Sequence, residues 1–288
     1  AVNLIALILA LAVAVAAGLG GTVRDGVETT QRRQVVDASG AVLDGAPART
    51  VASLSILSDR LLIHLIEGDR FRATSRWSSG DWTLALPAVP RLEGAKEVED
   101  LLRLDADLVI VAGGVDDHVR RLRERGQQVY CIGDLDGWAT CERVIADLAT
   151  LLDIEDRGQA LLRRNRARLD VLALAAPKDA EAALCATVHD TRIFGGTVGT
   201  AYHDILRLAG CRDVAADRFR GWPTWTMEDL YALDPAIIVM GEGGAAALRR
   251  LPGAEHLRGR IIELPRDAFD DPGLGMLDAA ELLRANLR

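Results

Sequence analysis

The sequence predicts an α/β protein: two Rossmann-like lobes with parallel-type sheets, joined by a long interdomain α-helix. Three observations carry this expectation. Short apolar strands alternate with helical stretches over most of the chain, as in a sheet covered by helices on both faces. A helix–turn–strand unit occurs twice: the run from Glu99-Asp100-Leu101 to Leu108-Val109-Ile110-Val111 recurs, 129 positions on, as Glu228-Asp229-Leu230 to Ile237-Ile238-Val239-Met240. Two copies are too few for a solenoid, which needs about three or more, and they read as two similar lobes. Between them, 138–176 reads as almost continuous helix.

The elements follow in order. Residues 1–23 carry no charge and are nearly all apolar, so they read as a signal peptide or an N-terminal membrane anchor. Ala12, Ala14, Ala16 and Ala17 offer A-x-A-type cleavage sites. The first lobe is expected over 24–137. It opens with a β-hairpin at 34–45, turning at Ala38-Ser39-Gly40, and a strand at 51–54. A helix starts at Ser58 or Asp59 and runs to Ile66, stopped by Gly68. A strand at 71–74 leads into 75–90, which has no period and reads as loop. A helix at 97–103 feeds a strand at 108–112. A charged helix at 116–125 ends at Gly126, and a strand follows at 128–132.

The segment 138–177 is expected to form the helix leading into and making the interdomain backbone. Leu162, Leu169, Leu172, Ala173 and Ala176 form its stripe, Gly158 is a candidate break, and Pro177 ends it. At 1.5 Å per residue such a helix reaches ~30 Å or more, enough to bridge two lobes. The second lobe, 178–288, restarts the alternation. Its strands are expected near 184–188, 213–215, 236–240 and 260–264, and its helices near 200–209, 226–233, 244–250 and 276–287.

Composition narrows the function. With 288 residues, 49% hydrophobic and only 4% aromatic, the core must be mostly aliphatic, which makes each of the five Trp worth following. A net charge of −8 argues against nucleic acid or anionic lipid as the main partner. Cys131, Cys141, Cys185 and Cys211 form no C-x-x-C pair, so zinc and thioredoxin chemistry lack support. Within the lobes, Cys131–Cys141 and Cys185–Cys211 are the pairings an exported protein could make; buried free thiols are the other reading. No Walker A loop and no G-x-S-x-G motif is present.

Candidate functional residues lie mainly in loops. In Gly221-Trp222-Pro223-Thr224-Trp225, Pro223 biases Trp222 toward an extended backbone. An exposed indole there offers a flat face to a ring-shaped ligand. Trp77 and Trp82 are the rough first-lobe counterparts, whereas Trp225 and Trp82 also suit a lobe core and Trp138 suits structural packing. Ser55, after the first long strand, reads as a hydrogen-bond donor into a cleft. Gly195-Gly196-Thr197-Val198-Gly199 reads as a flexible cleft loop. His64 reads as a packed core histidine. Tyr202, His203 and His189 fall in one lobe, and Tyr and His are residue types that ligate haem iron. Glu99 and Glu228 begin their helices, where any acid favours the helix dipole by ~0.3–1 kcal/mol. Thr226 with Asp229 resembles a capping box. Two equivalent glutamates on one face could also grip two arginine sites of a partner.

The order and spacing of these segments resemble the periplasmic substrate-binding proteins of bacterial ABC importers, in the class with a rigid interdomain helix that handles cobalamin, siderophores, haem and some metals. The resemblance runs from Val35-Val36-Asp37-Ala38-Ser39-Gly40 through Arg49-Thr50-Val51-Ala52-Ser53-Leu54-Ser55, Gly68-Asp69-Arg70 and the Glu99 helix. It continues through Gly199-Thr200 to Ala209-Gly210 and from Trp222-Pro223 to the 237–240 strand. It implies that Glu99 and Glu228 dock onto arginines of a permease dimer and that Trp222 lines the ligand pocket. Two positions depart from the pattern. Glu93 stands where cobalamin binders carry a Trp, and Cys211 stands where a second Gly is usual, which favours a disulfide.

The expectation is therefore a monomeric, extracytoplasmic binding protein, periplasmic or anchored to the inner membrane, and not an enzyme. It captures a bulky cofactor-like ligand, cobalamin or a ferric siderophore ahead of haem, between Trp222, Trp77, Trp82, Ser55 and Tyr202. It then presents that ligand to a permease. The alternatives are a membrane-anchored sensor of the same ligand and a chelatase-like metal-handling enzyme using His118 with Asp116 or Asp117.

Overall fold

The computed structural model describes residues 34–174 and 180–287. The apolar segment 1–23 and the expected helix end at Pro177 lie outside the described residues.

A small hairpin comes first. β1 (Gln34–Val36) pairs antiparallel with β2 (Val42–Asp44). Asp37 closes its turn by accepting the Ser39 and Ala41 N–H groups, and its other oxygen accepts Cys131 N–H and the Arg123 guanidinium. One buried carboxylate thus builds the turn and ties it to the first lobe.

The first-lobe sheet contains β3 (Val51–Leu54), β4 (Phe71–Ser75), β5 (Arg91–Leu92), β6 (Leu108–Val111) and β7 (Val129–Cys131). Its order is β5-β4-β3-β6-β7, and every pairing is parallel. The helices are α1 (Ile56–Leu62), α2 (Val98–Arg103) and α3 (Asp117–Glu124), followed by α4 (Trp138–Leu151). Side chains alternate across the sheet as the two-residue strand period requires. Leu108 and Ile110 join the core beneath α1 and α4, while Val109 and Val111 join the core beneath α2 and α3.

The second lobe repeats the plan with a difference. Its strands are β8 (Ala182–His189), β9 (Arg192–Gly196), β10 (Arg212–Asp213), β11 (Thr224–Trp225), β12 (Ile237–Gly241) and β13 (Arg260–Leu264). The order is β11-β9-β8-β12-β13, with β10 pairing β8. β8, β10, β12 and β13 pair in parallel, but β9 pairs antiparallel with both β8 and β11. The sheet is therefore mixed. β8 turns into β9 at Asp190, whose φ of 55° is tolerated because a short aspartate suits the left-handed region. The helices are α6 (Ala201–Ala209), α7 (Met227–Leu233), α8 (Gly244–Leu248), α9 (Arg266–Phe269) and α10 (Leu274–Asn286).

The repeated unit extends to the backbone. α2 leads to β6 and α7 leads to β12. Each helix is left through an aspartate with positive φ, 48° at Asp105 and 39° at Asp234, again 129 positions apart. The expected capping box of Thr226 and Asp229 is present on α7.

Within its described residues, the stretch 138–176 is not one continuous helix but two, of which the second bridges the lobes. α4 ends at Leu151, Asp153 takes φ 58°, and α5 (Glu155–Leu174) begins. Gly158 is not the break. A Cβ there would come within 2.4 Å of Ala149 Cβ, so the glycine lets α5 pack tightly on α4. The 20 residues of α5 span about 30 Å. Leu161 and Leu162 enter the first-lobe core, and Leu172 enters the second. The Trp138 indole packs against both cores. A second crossing is unexpected. Leu274, at the start of α10, is buried in the first-lobe core, and the preceding Gly273 presses so closely on Leu57 that a Cβ would lie 2.3 Å from its Cδ1.

The four cysteines are all free and buried, so neither expected disulfide forms. His64 is exposed rather than packed in the core. Among the described residues no helix is long and apolar enough to cross a membrane.

Candidate ligand-binding cleft

The chain runs from β3 outward to β4 and β5, then returns to β6 on the other side of β3. A crevice opens outside the C-terminal ends of strands at such a reversal. Leu54 and Ser55 follow β3 there, and Ala112 follows β6. All three line a cavity of about 270 Å³. Trp77 and Leu135 add first-lobe walls, and Trp222, Asp270 and Pro272 close it from the second lobe. Trp77, Trp222 and Ser55, expected to share a site, are thus brought together.

The two indoles are the main exposed apolar faces here. Trp77 is 56% exposed and Trp222 is 54% exposed, in a chain whose core is mostly aliphatic. Each is held by its own lobe. The Arg76 guanidinium lies 5.3 Å from the Trp77 ring centroid. Trp222 meets Tyr202 edge-on at 5.0 Å, and Tyr202 stacks on Phe269 at 4.5 Å. Gly196 supplies the bed for Trp222, since a Cβ there would meet the indole at 2.8 Å. Gly195 does the same for Trp225, which is buried as a core residue against Phe219. Gly195 and Gly196 therefore belong to a strand with two indoles on it and not to a flexible loop. Only 197–199 turns into α6, where the Thr200 side chain caps the helix.

Two expected ligand residues lie elsewhere. Trp82 lines neither this cavity nor its neighbour; its ring faces the Arg60 guanidinium at 5.5 Å. Tyr202 is buried behind Trp222, and burial pushes its phenol well above the usual range. His203 is drawn away by a 2.8 Å contact of Nδ1 with Asp213, and His189 ends β8 near the Phe194 ring. Among the described residues no three His, Cys, Asp or Glu side chains converge as a metal site.

A second cavity of about 470 Å³ shares Leu54, Trp77 and Ala112 with the first and extends over the first lobe. Its walls are more polar: Glu93, Lys96, Asp116 and His118. Glu93 is engaged by Arg76 and Lys96. Asp116 caps α3 through Val119 N–H at 2.8 Å, and His118 Nδ1 is buried with no hydrogen-bond partner among the described residues.

Sequence reasoning missed Asp270 and the buried carboxyl of Asp59. Asp270 is the acid in the wall of the smaller, mostly apolar cavity. Burial pushes its carboxyl above the usual range, against the pull of Arg266 and His189. Its signal was hidden because 266–269 is a helix of a single turn. Asp59 was read as a helix start, but α1 begins at Ile56, and Asp59 points inward beneath Trp77.

Glu99 and Glu228 are both exposed in the first turns of α2 and α7. Neither makes a hydrogen bond or ion pair among the described residues. Their neighbours are spent locally, Asp100 on Arg103 and Asp229 on the Thr226 cap.

Residues 51–260 match the family model described as periplasmic binding protein. No curated protein matches the chain. Among solved structures, the periplasmic heme-binding protein BhuT in complex with two hemes is 23% identical, with a TM-score of 0.69 over 84% of this chain and 98% of that one. The periplasmic heme-binding protein HutB of Vibrio cholerae is 21% identical, with a TM-score of 0.66 over 83% and 98%. The periplasmic vitamin B12 binding protein BtuF of Vibrio cholerae is 20% identical, with a TM-score of 0.67 over 84% and 97%. At these identities the likeness is one of fold.

Proposed function

Since this chain belongs to the periplasmic binding protein family, we propose that it is the extracytoplasmic binding component of an ABC uptake system. It captures a bulky cofactor-like ligand between its lobes and delivers it to a permease through Glu99 and Glu228. The observation that carries the reading is that Trp77 and Trp222, one from each lobe, face a single cavity with more than half of each surface free. Paired indoles suit a large ring system with apolar faces.

The charge in the wall orders the ligands. Asp270 is the acid there, and it favours a neutral ligand rich in N–H donors over one bearing carboxylates. A corrinoid with an amide periphery fits this best. A ferric siderophore comes second and haem, with its propionates, third. Heme-binding and vitamin B12-binding proteins both occur among the structural neighbours, so the fold leaves the ordering to these side chains.

The test is titration with cyanocobalamin, a ferric siderophore and hemin, read by tryptophan emission. Quenching is expected first with cyanocobalamin. Absence of quenching by all three overturns the reading.

A further inference from the structure

Trp77 projects from a turn, 75–78, closed by a hydrogen bond from Ser78 N–H to the Ser75 carbonyl at 3.3 Å. Two charged side chains grip this turn from behind the cavity. Asp59 Oδ2 accepts the Ser75 N–H at 2.8 Å and the Ser78 hydroxyl at 2.7 Å. The Arg91 guanidinium donates to the carbonyls of Ser75 and Ser78. The Ser75 N–H and the Ser78 hydroxyl thus end on one side chain, and the Ser75 and Ser78 carbonyls meet the other. Neither Asp59 nor Arg91 lines either cavity, and Asp59 is 0% exposed.

The other oxygen of Asp59 is unusual. Oδ1 is buried and meets no hydrogen-bond partner among the described residues. Ser53 lies against the carboxyl, and in its 2.7 Å contact with Ser58 either hydroxyl can be the donor. With Ser53 donating to Ser58, and Ser58 to the Ser55 carbonyl at 3.1 Å, a protonated Asp59 completes a chain to the backbone; with Ser58 donating to Ser53, the Ser53 proton serves an ionised Asp59. Burial pushes the carboxyl up to about 7, against the serine contacts and Arg91. Arg91, from β5, is the charged group facing it.

We propose that Asp59 and Arg91 are positioning residues for Trp77, and that the stiffness of the ligand-facing turn follows the charge on Asp59. Ionised, the carboxylate holds both turn donors by charge-assisted bonds, roughly twice as strong as neutral ones, and attracts Arg91. Protonated, it accepts the same donors more weakly. The turn stiffens as pH rises through about 7, although the fold as a whole is stabilised in the opposite direction. The folded carboxyl binds its proton more tightly than an unfolded aspartate near 3.9, so its contribution to stability falls between about pH 4 and about pH 7.

The inference rests on Trp77 being a cleft residue, so its first test uses no ligand. The Trp77 emission, taken as the difference between the protein and Trp77→Phe, is expected to change in intensity and anisotropy with a midpoint near pH 7. Asp59→Asn keeps an oxygen for the turn and places an amide donor toward Ser53, and is expected to abolish that transition. The same variant should be more stable than the parent protein in urea at about pH 8 and equal to it at about pH 4. Arg91→Lys, which keeps the charge but loses the fork, is expected to raise Trp77 mobility at every pH. With cyanocobalamin as probe, Asp59→Asn is expected to bind about three- to tenfold more weakly at pH 8 and equally at pH 5. A Trp77 emission that does not titrate, or that titrates unchanged in Asp59→Asn, overturns the proposal. If cyanocobalamin binds neither protein, the ligand assignment fails while the emission test still decides.

Discussion

Arg60 and Asp271 form a buried ion pair across the lobes, with Nε 3.0 Å from Oδ2. Arg60 belongs to α1 of the first lobe. Its remaining nitrogens reach the Asp267 carbonyl at 2.6 Å and Asp278 of α10 at 2.5 Å. Asp278 in turn meets Arg168 of α5, which also holds Glu281. One arginine therefore links the first lobe, the last helix and the interlobe helix. Asp204, from the second lobe, adds a tie by accepting Trp138 N–H at 2.9 Å. With these contacts and the Leu274 plug, opening the cleft by a large hinge rotation would break several buried interactions at once.

Arg60→Met should cost about 3–5 kcal/mol, because it strands a buried carboxylate. Asp271 is pushed by burial to about 6, with Arg60 and two backbone N–H groups opposing. Its folded value exceeds that of an unfolded aspartate, so its contribution falls as pH rises from about 4 through about 6. Without Arg60 that window moves upward. Urea unfolding is expected to show a larger loss at about pH 8 than at about pH 5, and equal losses would remove the electrostatic explanation.

Trp77→Ala and Trp222→Ala should each weaken ligand binding roughly tenfold, the equivalent of about 1.4 kcal/mol for one aromatic contact. Trp82→Phe is the control and should leave affinity unchanged, because Trp82 lies outside both cavities. Equilibrium titration with cyanocobalamin measures all three. An equal loss in Trp82→Phe would point to a general effect of the 75–90 segment.

Replacing Glu99 and Glu228 together with Ala should leave cyanocobalamin affinity and melting temperature unchanged and abolish uptake in a reconstituted permease assay. The expectation follows from their exposure and from their lack of hydrogen-bond or ion-pair partners among the described residues. A fall in affinity would assign them to the pocket instead.

The thiols should behave as buried hydrocarbon. Burial pushes Cys131 and Cys211 up to about 11, far from the thiolate form at neutral pH. Reaction with a thiol reagent should be slow in the native protein and reach all four cysteines in urea. A reductant should leave the melting temperature unchanged.

Much of the architecture could be read from residue order, because it rests on local signals. The repeated Glu-Asp-Leu helices, their apolar strands and the Asp105 and Asp234 turns are short-range patterns, and the structure keeps them in register. What escaped depended on contacts between distant segments. β9 looked like a glycine loop because the reason for Gly195 and Gly196, two indoles laid across them, comes from 222 and 225. The α4–α5 break escaped because its helix ends are satisfied from afar, Leu151 by Ala48 N–H and Leu152 by Arg70. Asp59 was read only as a helix start, yet it lies under Trp77, and its neighbour Arg60 crosses to the second lobe. In the site, Trp222 before Pro223 was legible as a candidate, whereas Asp270 carried no local mark.

The burial of Leu274 beside Leu57 has a consequence for how the molecule assembles. A chain that becomes available in order from its N-terminus reaches every strand of the first sheet by Cys131, yet the core of that lobe lacks a side chain supplied only at position 274. The first half is thus completed by nearly the last segment. The two halves should melt in a single calorimetric transition, and neither should be obtainable as a stable fragment.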